Sequence, residues 1–250
     1  MSNLISDFHG SITTASEADQ NKAIGYGILA DTIRGLKRGY VFELFNLGKL
    51  LVAKKRTEKA LAAYSKGEGS LADVYKHFNG AIRGYPTEYV KSKVYQYTRE
   101  SSGQVDLQLL RVIEDLHSNG VNTGILSVGY EDGIRMVLNE LRRSDVFDII
   151  VGNQLLNVNG RCKGFTLDIY EKKAATFEER FLRRLGLDPN KTFYIGNDSK
   201  DDGPVADLLP KGHLIAAPMA TDIEKQALAS RWGAVVPKDH AELERYLFAA

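Results

Sequence analysis

The chain has 250 residues, enough to bury a full hydrophobic core in one large domain or in one domain with a substantial insertion. Its 33 basic and 32 acidic side chains nearly cancel, which argues against nucleic acid or an anionic membrane surface as a partner. The single cysteine, Cys162, excludes an intrachain disulfide and is expected to be a structural residue in a reducing compartment. No signal-peptide pattern and no stretch of about 18 uncharged apolar residues occurs. We therefore expect a soluble, cytoplasmic protein, whose oligomeric state, homo-oligomers included, the sequence leaves open.

The first predicted strand covers residues 4–8 and leads into the sequence Asp7-Phe8-His9-Gly10-Ser11-Ile12-Thr13. A carboxylate at the carboxyl end of a central strand can attack an electrophile, so Asp7 is a candidate nucleophile. Alternatively, Asp7 is a turn residue that caps the following backbone, and Gly10 and Ser11 fit such a turn. The segment by itself leaves these two interpretations about equal.

Residues 15–102 give no parallel-strand signal and are typical of an all-α insertion, because apolar residues recur there at helical spacing. We predict a core domain of residues 1–14 plus 103–250 and a helical cap domain of residues 15–102. Since the insertion follows the first strand, it should lie above the carboxyl edge of the sheet, where open α/β folds bind ligands. Most of its aromatic side chains are expected to form helix core and not to line a substrate pocket. They include Tyr40, Phe42, Phe45, Tyr64, Tyr75, Phe78, Tyr85, Tyr89, Tyr95 and Tyr97.

The rest of the chain alternates between short apolar runs and helical patterns. Further strands are predicted at residues 123–128, 147–151, 192–195, 213–217 and 234–236, and helices at residues 107–119, 131–143, 174–185, 205–209 and 222–231. Asn159-Gly160 suits the positive φ angles of a tight turn and predicts a hairpin over residues 155–167. The alternation predicts an α/β fold with a doubly wound, mostly parallel sheet and right-handed crossovers.

Two segments of this region carry candidate anion-binding groups. Ser127 ends a predicted strand and Gly129 follows it, and a hydroxyl and N–H groups at such a strand-to-helix turn can bind phosphoryl oxygens. The alternative for Ser127 is an ordinary helix cap. Lys172 and Lys173 precede a helical pattern, where a lysine opposes the helix dipole unless a ligand anion is present. The alternative is a pair of exposed lysines.

A cluster of polar and acidic residues follows the predicted strand at residues 192–195. Its sequence is Gly196-Asn197-Asp198-Ser199-Lys200-Asp201-Asp202. Clustered carboxylates repel one another and favour a hard divalent cation, so we expect Mg²⁺ here. A solvated loop in which Asp202 caps the next helix explains one aspartate better than three. A carboxylate nucleophile, a hydroxyl, an ammonium and metal-binding acids together predict phosphoryl transfer through an aspartyl-phosphate.

These motifs resemble those of the haloacid dehalogenase superfamily, and within it the phosphoserine-phosphatase-like branch with a helical C1-type cap. The first motif of the family, DxDG(T/S)xT, matches residues 7–13 except at its second aspartate. The second motif, a strand-end Ser or Thr, matches Ser127. The third, a lysine, matches Lys173, because Phe177 and Phe181 then fall on one helix face; Lys172 is the alternative.

The acidic fourth motif of the family matches Asp198 and Asp202, with Asn197 and Asp201 as the alternative register. The resemblance implies that Asp7 attacks the phosphorus of a small phosphorylated substrate. It implies that the phosphoryl oxygens are held by Ser127, Gly129 and Lys173. It implies that Mg²⁺ is held by Asp7, the backbone carbonyl of His9 and Asp198, and that Asp202 orients the water ligands of the metal or binds the metal through them.

His9 stands where the family has its second aspartate, the residue that protonates the leaving group and then activates water. Imidazole can perform both steps near neutral pH. A cationic ring beside Mg²⁺ is disfavoured, however, so turnover is expected to be slow or the intermediate long-lived.

Three functions are therefore considered. The leading hypothesis is Mg²⁺-dependent hydrolysis of a small phosphomonoester, with phosphoserine as the nearest substrate by resemblance. The second is a catalytically impaired phospholigand-binding or regulatory protein, motivated by His9. The third, carbon–halogen hydrolysis, ranks low because it does not need the acidic cluster at residues 198–202.

Overall fold

The structure of the protein is a computed structural model that describes residues 2–13, 17–38, 43–66, 68–101, 104–170 and 172–249. The expected boundaries between core and cap, 14/15 and 102/103, lie outside these residues, as do Tyr40, Phe42 and the side chain of Phe45. The division into two domains stays a prediction.

Five parallel strands form the main sheet, in the order β3-β2-β1-β6-β7. These are β1 (Asn3–Ser6), β2 (Asn122–Tyr130), β3 (Ile149–Asn153), β6 (Thr192–Gly196) and β7 (Leu214–Ala216), while β4 (Leu155–Val158) and β5 (Arg161–Phe165) form a separate antiparallel hairpin. The central strand is β1, in which Ser6 lies opposite Ile125 of β2 and Ile195 of β6. The predicted α/β fold with a mostly parallel sheet is confirmed.

Four helices lie within residues 17–101, and five more accompany the sheet in the described part of the chain. The first four are α1 (Glu17–Lys37), α2 (Glu43–Ser65), α3 (Leu71–Ile82) and α4 (Thr87–Ser101). The others are α5 (Leu107–Ser118), α6 (Glu131–Glu140), α7 (Lys173–Phe177), α8 (Asp222–Trp232) and α9 (His240–Ala249). None of the described helices is both long and apolar enough to cross a lipid bilayer.

The main sheet is buried on both faces because alternate side chains of a strand point to opposite sides. On β1, Leu4 belongs to a cluster with Leu109 of α5, whereas Ile5 belongs to a cluster with Phe181 on the other side. Both β1 side chains are at most 2% exposed. This burial fixes the register of β1, since a shift by one residue would exchange its two faces.

The first four helices pack against the hairpin through a third apolar cluster, which includes Phe78 of α3 and Phe165 of β5. Asn79 reinforces this contact: its amide donates to the Phe165 carbonyl at 2.8 Å and accepts from the Phe165 N–H at 2.7 Å. Cys162 is fully buried in the same cluster, in agreement with the structural role expected for it.

The hairpin is confirmed, with φ of 51° at Asn159 and 75° at Gly160, but several predicted element boundaries are wrong. Residues 234–236 form no strand; Val235 makes an isolated parallel bridge with Ile215, beyond the end of α8. The helix predicted at residues 131–143 ends at Glu140, and Arg142 adopts a φ of 55° that a right-handed helix does not allow. The helix predicted at 174–185 consists of α7 and the π-helical segment Glu178–Arg183, and the one at 205–209 is the 3₁₀ segment Gly203–Leu208.

Candidate functional site

The carboxyl ends of β1, β2 and β6 meet at one edge of the sheet, and most of the candidate residues lie there. Five polar or charged candidate residues have less than one tenth of their surface exposed: Asp7, His9, Ser127, Lys173 and Asp202. So many polar and charged groups are seldom buried together unless they pair with one another. The contacts among them define the site.

Asp7 directly follows the central strand, and its N–H still donates to the Ile195 carbonyl of β6 at 2.8 Å. Its Oδ1 lies 3.1 Å from the Nζ of Lys173, an ion pair outside hydrogen-bond geometry. Oδ1 accepts no hydrogen bond from any residue that the structure describes. Burial raises the pKa of the Asp7 carboxyl to about 7, although the Lys173 ammonium lowers it. Within the described structure, Oδ1 of Asp7 thus contacts the Lys173 ammonium without a hydrogen bond of good geometry.

Lys173 begins α7 and is 3% exposed, with its Nζ 2.5 Å from Oδ1 of Asp202 as well as 3.1 Å from Asp7. Burial lowers the pKa of Lys173, but the carboxylates of Asp202 and Asp7 outweigh it and hold this pKa well above its usual value. Lys172, the alternative, is exposed. The structure therefore places Lys173, and not its neighbour, between the two carboxylates.

The Asp202 carboxylate has four donors around it. Besides the Lys173 ammonium, Oδ1 accepts a hydrogen bond from the Tyr194 hydroxyl at 2.8 Å. Oδ2 accepts from the backbone N–H groups of Asn197 at 2.8 Å and Asp198 at 3.0 Å. Through these contacts, Asp202 holds the Lys173 ammonium and the backbone of its own loop in place. The assignment of Asp202 as a metal ligand stays a prediction.

Tyr194 was not among the residues identified from the sequence, although it lies fully buried on β6. Burial and the nearby Asp202 raise the pKa of its hydroxyl well above the usual value, so it remains a donor. The one signal in the sequence is that a tyrosine in a buried strand needs a partner for its hydroxyl. That signal does not tell which residue the partner is.

The His9 ring lies against the turn that follows Ser127. Its Nδ1 is 3.3 Å from Oγ of Ser127, and the same Oγ accepts a hydrogen bond from the N–H of Gly129 at 3.2 Å. A Cβ atom at Gly129 would lie 2.2 Å from Cε1 of His9, so only glycine leaves room for the ring. Burial and the Lys173 charge lower the pKa of His9 to about 3. The imidazole is therefore neutral at physiological pH.

The Asn197 side chain projects toward the carboxylate of Asp7 and the backbone carbonyl of His9. One terminal atom of its amide lies 2.8 Å from the His9 oxygen, 3.0 Å from Oδ2 of Asp7 and 3.1 Å from Oγ of Ser11. If this atom is the nitrogen, it donates to all three oxygens. If it is the oxygen, it accepts from Ser11 and faces two other oxygens, an arrangement that a cation bound among them would stabilise.

This donor set fits Mg²⁺, which takes oxygen ligands at about 2.0–2.1 Å in octahedral geometry. Neighbouring ligand oxygens then lie roughly 2.9 Å apart, close to the 2.8 and 3.0 Å that separate the Asn197 amide from His9 and Asp7. Within the described residues, no three His, Cys, Asp or Glu side chains form a metal site by themselves. Asp7, the His9 carbonyl and Asn197 would instead provide one carboxylate and two neutral oxygens.

The Asp198 side chain, the other candidate ligand, turns back on its own loop. Its Oδ1 accepts hydrogen bonds from the N–H groups of Lys200 at 2.7 Å and Asp201 at 2.9 Å. The geometry thus favours the alternative register of the fourth motif, in which Asn197 faces Asp7. The ligand roles of Asp198 and Asp202 stay predictions.

Replacing Lys173 by methionine should lower the free energy of unfolding by about 3 kcal/mol, because it leaves two buried carboxylates without their shared cation. Urea denaturation followed by circular dichroism measures the effect. Lys172→Met is the matched control and should change stability by less than about 0.5 kcal/mol, since that side chain is exposed. Equal midpoints for the two variants would contradict the ion-pair arrangement.

Several solved structures share this fold along nearly the whole chain. A substrate-bound phosphoserine phosphatase complex is 13% identical, with a TM-score of 0.59 and 98% of each chain covered. A phospho-aspartyl intermediate analogue of phosphoserine phosphatase is 14% identical, with a TM-score of 0.58 and the same coverage. A phosphoserine phosphohydrolase-like protein from Francisella tularensis is 18% identical, with a TM-score of 0.58, covering 99% of this chain and 100% of the other. At these identities the likeness concerns the fold, which agrees with the one inferred from the motifs.

No curated protein is significantly similar to the chain in sequence. The sequence model of the haloacid dehalogenase-like hydrolases, in contrast, matches residues 33–207, well over half of the chain. The matched stretch contains Ser127, Lys173 and the acidic loop but begins after Asp7, whose place in the site therefore rests on the geometry above. The protein belongs to the haloacid dehalogenase-like hydrolase family, as the motifs predicted.

Proposed function

We propose that this protein is a Mg²⁺-dependent phosphatase that hydrolyses a small phosphomonoester through a phosphorylated Asp7. The observation that carries the proposal is the buried Asp7 carboxylate, whose Oδ1 accepts no hydrogen bond within the described structure and lies 3.1 Å from the Lys173 ammonium. The free oxygen can attack phosphorus, and the ammonium can balance charge on the phosphoryl group. A structural relative named as a phospho-aspartyl intermediate analogue supports the same chemistry here.

In the first step, Oδ1 of Asp7 forms a bond to phosphorus while the bond from phosphorus to the ester oxygen breaks. The Lys173 ammonium, fixed by Asp202, stays beside the transferred group. The Ser127 hydroxyl and the Gly129 N–H, which now bond to each other, are placed to bind phosphoryl oxygens at the neighbouring strand end. Water then attacks the phosphorus, releasing phosphate and restoring the Asp7 carboxylate.

Mg²⁺ would be held by Asp7, the His9 carbonyl and the Asn197 side chain, and it would supply positive charge to the phosphoryl oxygens. The family resemblance assigns Asp198 and Asp202 to the metal as well. The distances from the Asn197 amide to the oxygens of His9 and Asp7, together with the loop contacts of Asp198, favour Asn197 as the third ligand. The proposal also includes a small phosphorylated substrate, no nucleic acid or membrane partner, and a cytoplasmic location.

A second candidate, an impaired phospholigand-binding or regulatory protein, is favoured by the state of His9. With its pKa lowered to about 3, the ring carries no proton to give to a leaving group near neutral pH. The same low pKa makes the neutral ring a weak base for activating water. His9 therefore supports neither half-reaction well, and a phospholigand could be bound with slow turnover.

Replacing Asp7 by asparagine should lower the turnover of p-nitrophenyl phosphate by at least about 10³-fold, because the amide cannot act as the nucleophile. Steady-state assays with Mg²⁺ measure the rate, and thermal denaturation serves as the control for an intact fold. Residual activity comparable to that of the wild type would refute the aspartyl-phosphate mechanism.

Replacing Asn197 by aspartate should tighten Mg²⁺ binding by about tenfold, because it adds a charged ligand to a site for a hard cation. Replacing Asp198 by asparagine should change the affinity by less than about threefold if its carboxylate only stabilises the loop. Isothermal titration with Mg²⁺ measures both. The opposite order, with Asp198→Asn the damaging change and Asn197→Asp silent, would restore the register first inferred from the motif.

Replacing His9 by aspartate should raise kcat by about 10²-fold, because it supplies a group able to protonate the leaving oxygen and then activate water. The gain should be larger for an alkyl phosphate than for p-nitrophenyl phosphate, whose leaving group needs no proton. Equal gains for both substrates would show that leaving-group protonation is not what wild-type His9 fails to provide. His9→Ala is the control for merely removing the ring.

A further inference from the structure

An apolar cavity of about 140 Å³ lies among α1, α2 and α3. Most of its lining is aliphatic or aromatic and comes from all three helices. The main apolar residues are Leu29, Leu50, Leu61, Val74, Tyr75 and Phe78. Tyr75 and Phe78 are buried, as predicted for most aromatic residues of this region, but they also form part of the cavity wall.

Two contacts connect the helices around this cavity with segments that carry residues of the site. The ring of Tyr75, in the cavity wall, packs 4.2 Å from the ring of Tyr170, three residues before Lys173. At the end of α2, the Lys200 ammonium lies 5.6 Å from the centre of the Tyr64 ring, and Lys200 belongs to the loop that joins Asn197 to Asp202. The helices around the cavity therefore contact two of the three segments that carry the charged groups of the site, those of Lys173 and Asp202.

The cavity provides almost nothing for a charged ligand to bind. Its two charged lining residues, Lys54 and Glu58, pair with each other at 3.7 Å and are both exposed to solvent. The Lys54 ammonium also lies 5.4 Å from the centre of the Tyr26 ring. A leaving group with an ammonium and a carboxylate, as in phosphoserine, would find charged partners only at this solvent-exposed pair and would lose its hydration in the apolar remainder of the cavity.

We propose that the substrate is a phosphomonoester whose leaving group is a single aromatic ring or a compact aliphatic group, and that this group enters the cavity between α1, α2 and α3. The inference rests on the proposed phosphatase function and names its substrate class. The volume fits, since an apolar cavity of about 150 Å³ accommodates benzene. The reaction is ordinary hydrolysis: the P–O bond breaks, the ester oxygen takes a proton from water, and an alcohol or phenol and phosphate are released.

The first test compares benzyl phosphate with O-phosphoserine, two esters of primary alcohols, in steady-state assays with Mg²⁺. We expect kcat/KM to be at least about tenfold higher for benzyl phosphate, because burying a ring of this size favours binding by that factor or more. Equal values, or a preference for O-phosphoserine, would overturn the inference while leaving the phosphatase function intact.

A matched pair of variants tests whether the preference for benzyl phosphate arises in the cavity. Ala53→Leu fills the cavity, whereas Ala62→Leu makes the same change at an exposed position of the same helix that does not line it. The first should reduce the preference for benzyl phosphate to about threefold or less, and the second should leave it unchanged. Identical selectivity in the two variants would show that the ring binds elsewhere.

Binding measurements keep the inference testable even if turnover is negligible. Benzylphosphonate and methylphosphonate carry the same non-hydrolysable head group, and only the first has a ring. Isothermal titration should show benzylphosphonate binding at least about tenfold more tightly to the wild type, with the difference lost in Ala53→Leu. That result without any turnover would reject the phosphatase and retain the apolar ligand; equal affinities would reject the cavity as the binding site.

Discussion

The Lys173 ammonium lies buried between the carboxylates of Asp7 and Asp202, and the rest of the site depends on this contact. Buried charges destabilise a protein unless each has a partner. The three partners come from the end of β1, the start of α7 and the loop after β6, so these elements must meet in one register. The pairing of Ser6 with Ile195 sets the register between β1 and β6, because this pairing brings the ends of both strands to the same level.

The fold could largely be predicted because its signals are local. Apolar runs separated by helical patterns predict a parallel sheet, and Asn159-Gly160 predicts a turn that no other dipeptide of the segment offers. The element boundaries were predicted wrongly where contacts between residues distant in sequence determine the local structure. Residues 234–236 are apolar enough for a strand, but Val235 finds only a single bridge with Ile215. The helix after Lys173 has the expected apolar face, yet sequence does not reveal its change to π-helical hydrogen bonding.

The site could be predicted less completely than the fold. The sequence shows which residue types follow each strand, but it does not show in which direction their side chains point. Both Asn197 with Asp201 and Asp198 with Asp202 have the spacing of the fourth motif. The folded loop separates these registers by turning Asp198 onto its own backbone and Asn197 toward Asp7. The cavity among α1, α2 and α3 leaves no mark in the sequence either, because it arises from how three helices pack and not from any one of them.

The close approach of His9 to Gly129 means that these two positions cannot evolve independently. As long as position 9 carries an imidazole, any side chain at position 129 collides with it, since even a Cβ would lie 2.2 Å from the ring. A smaller residue at position 9 would remove the obstacle, and position 129 would then tolerate substitutions that are now excluded. The order of mutations therefore matters: a lineage that fixed a side chain at position 129 first would have closed the route to His9.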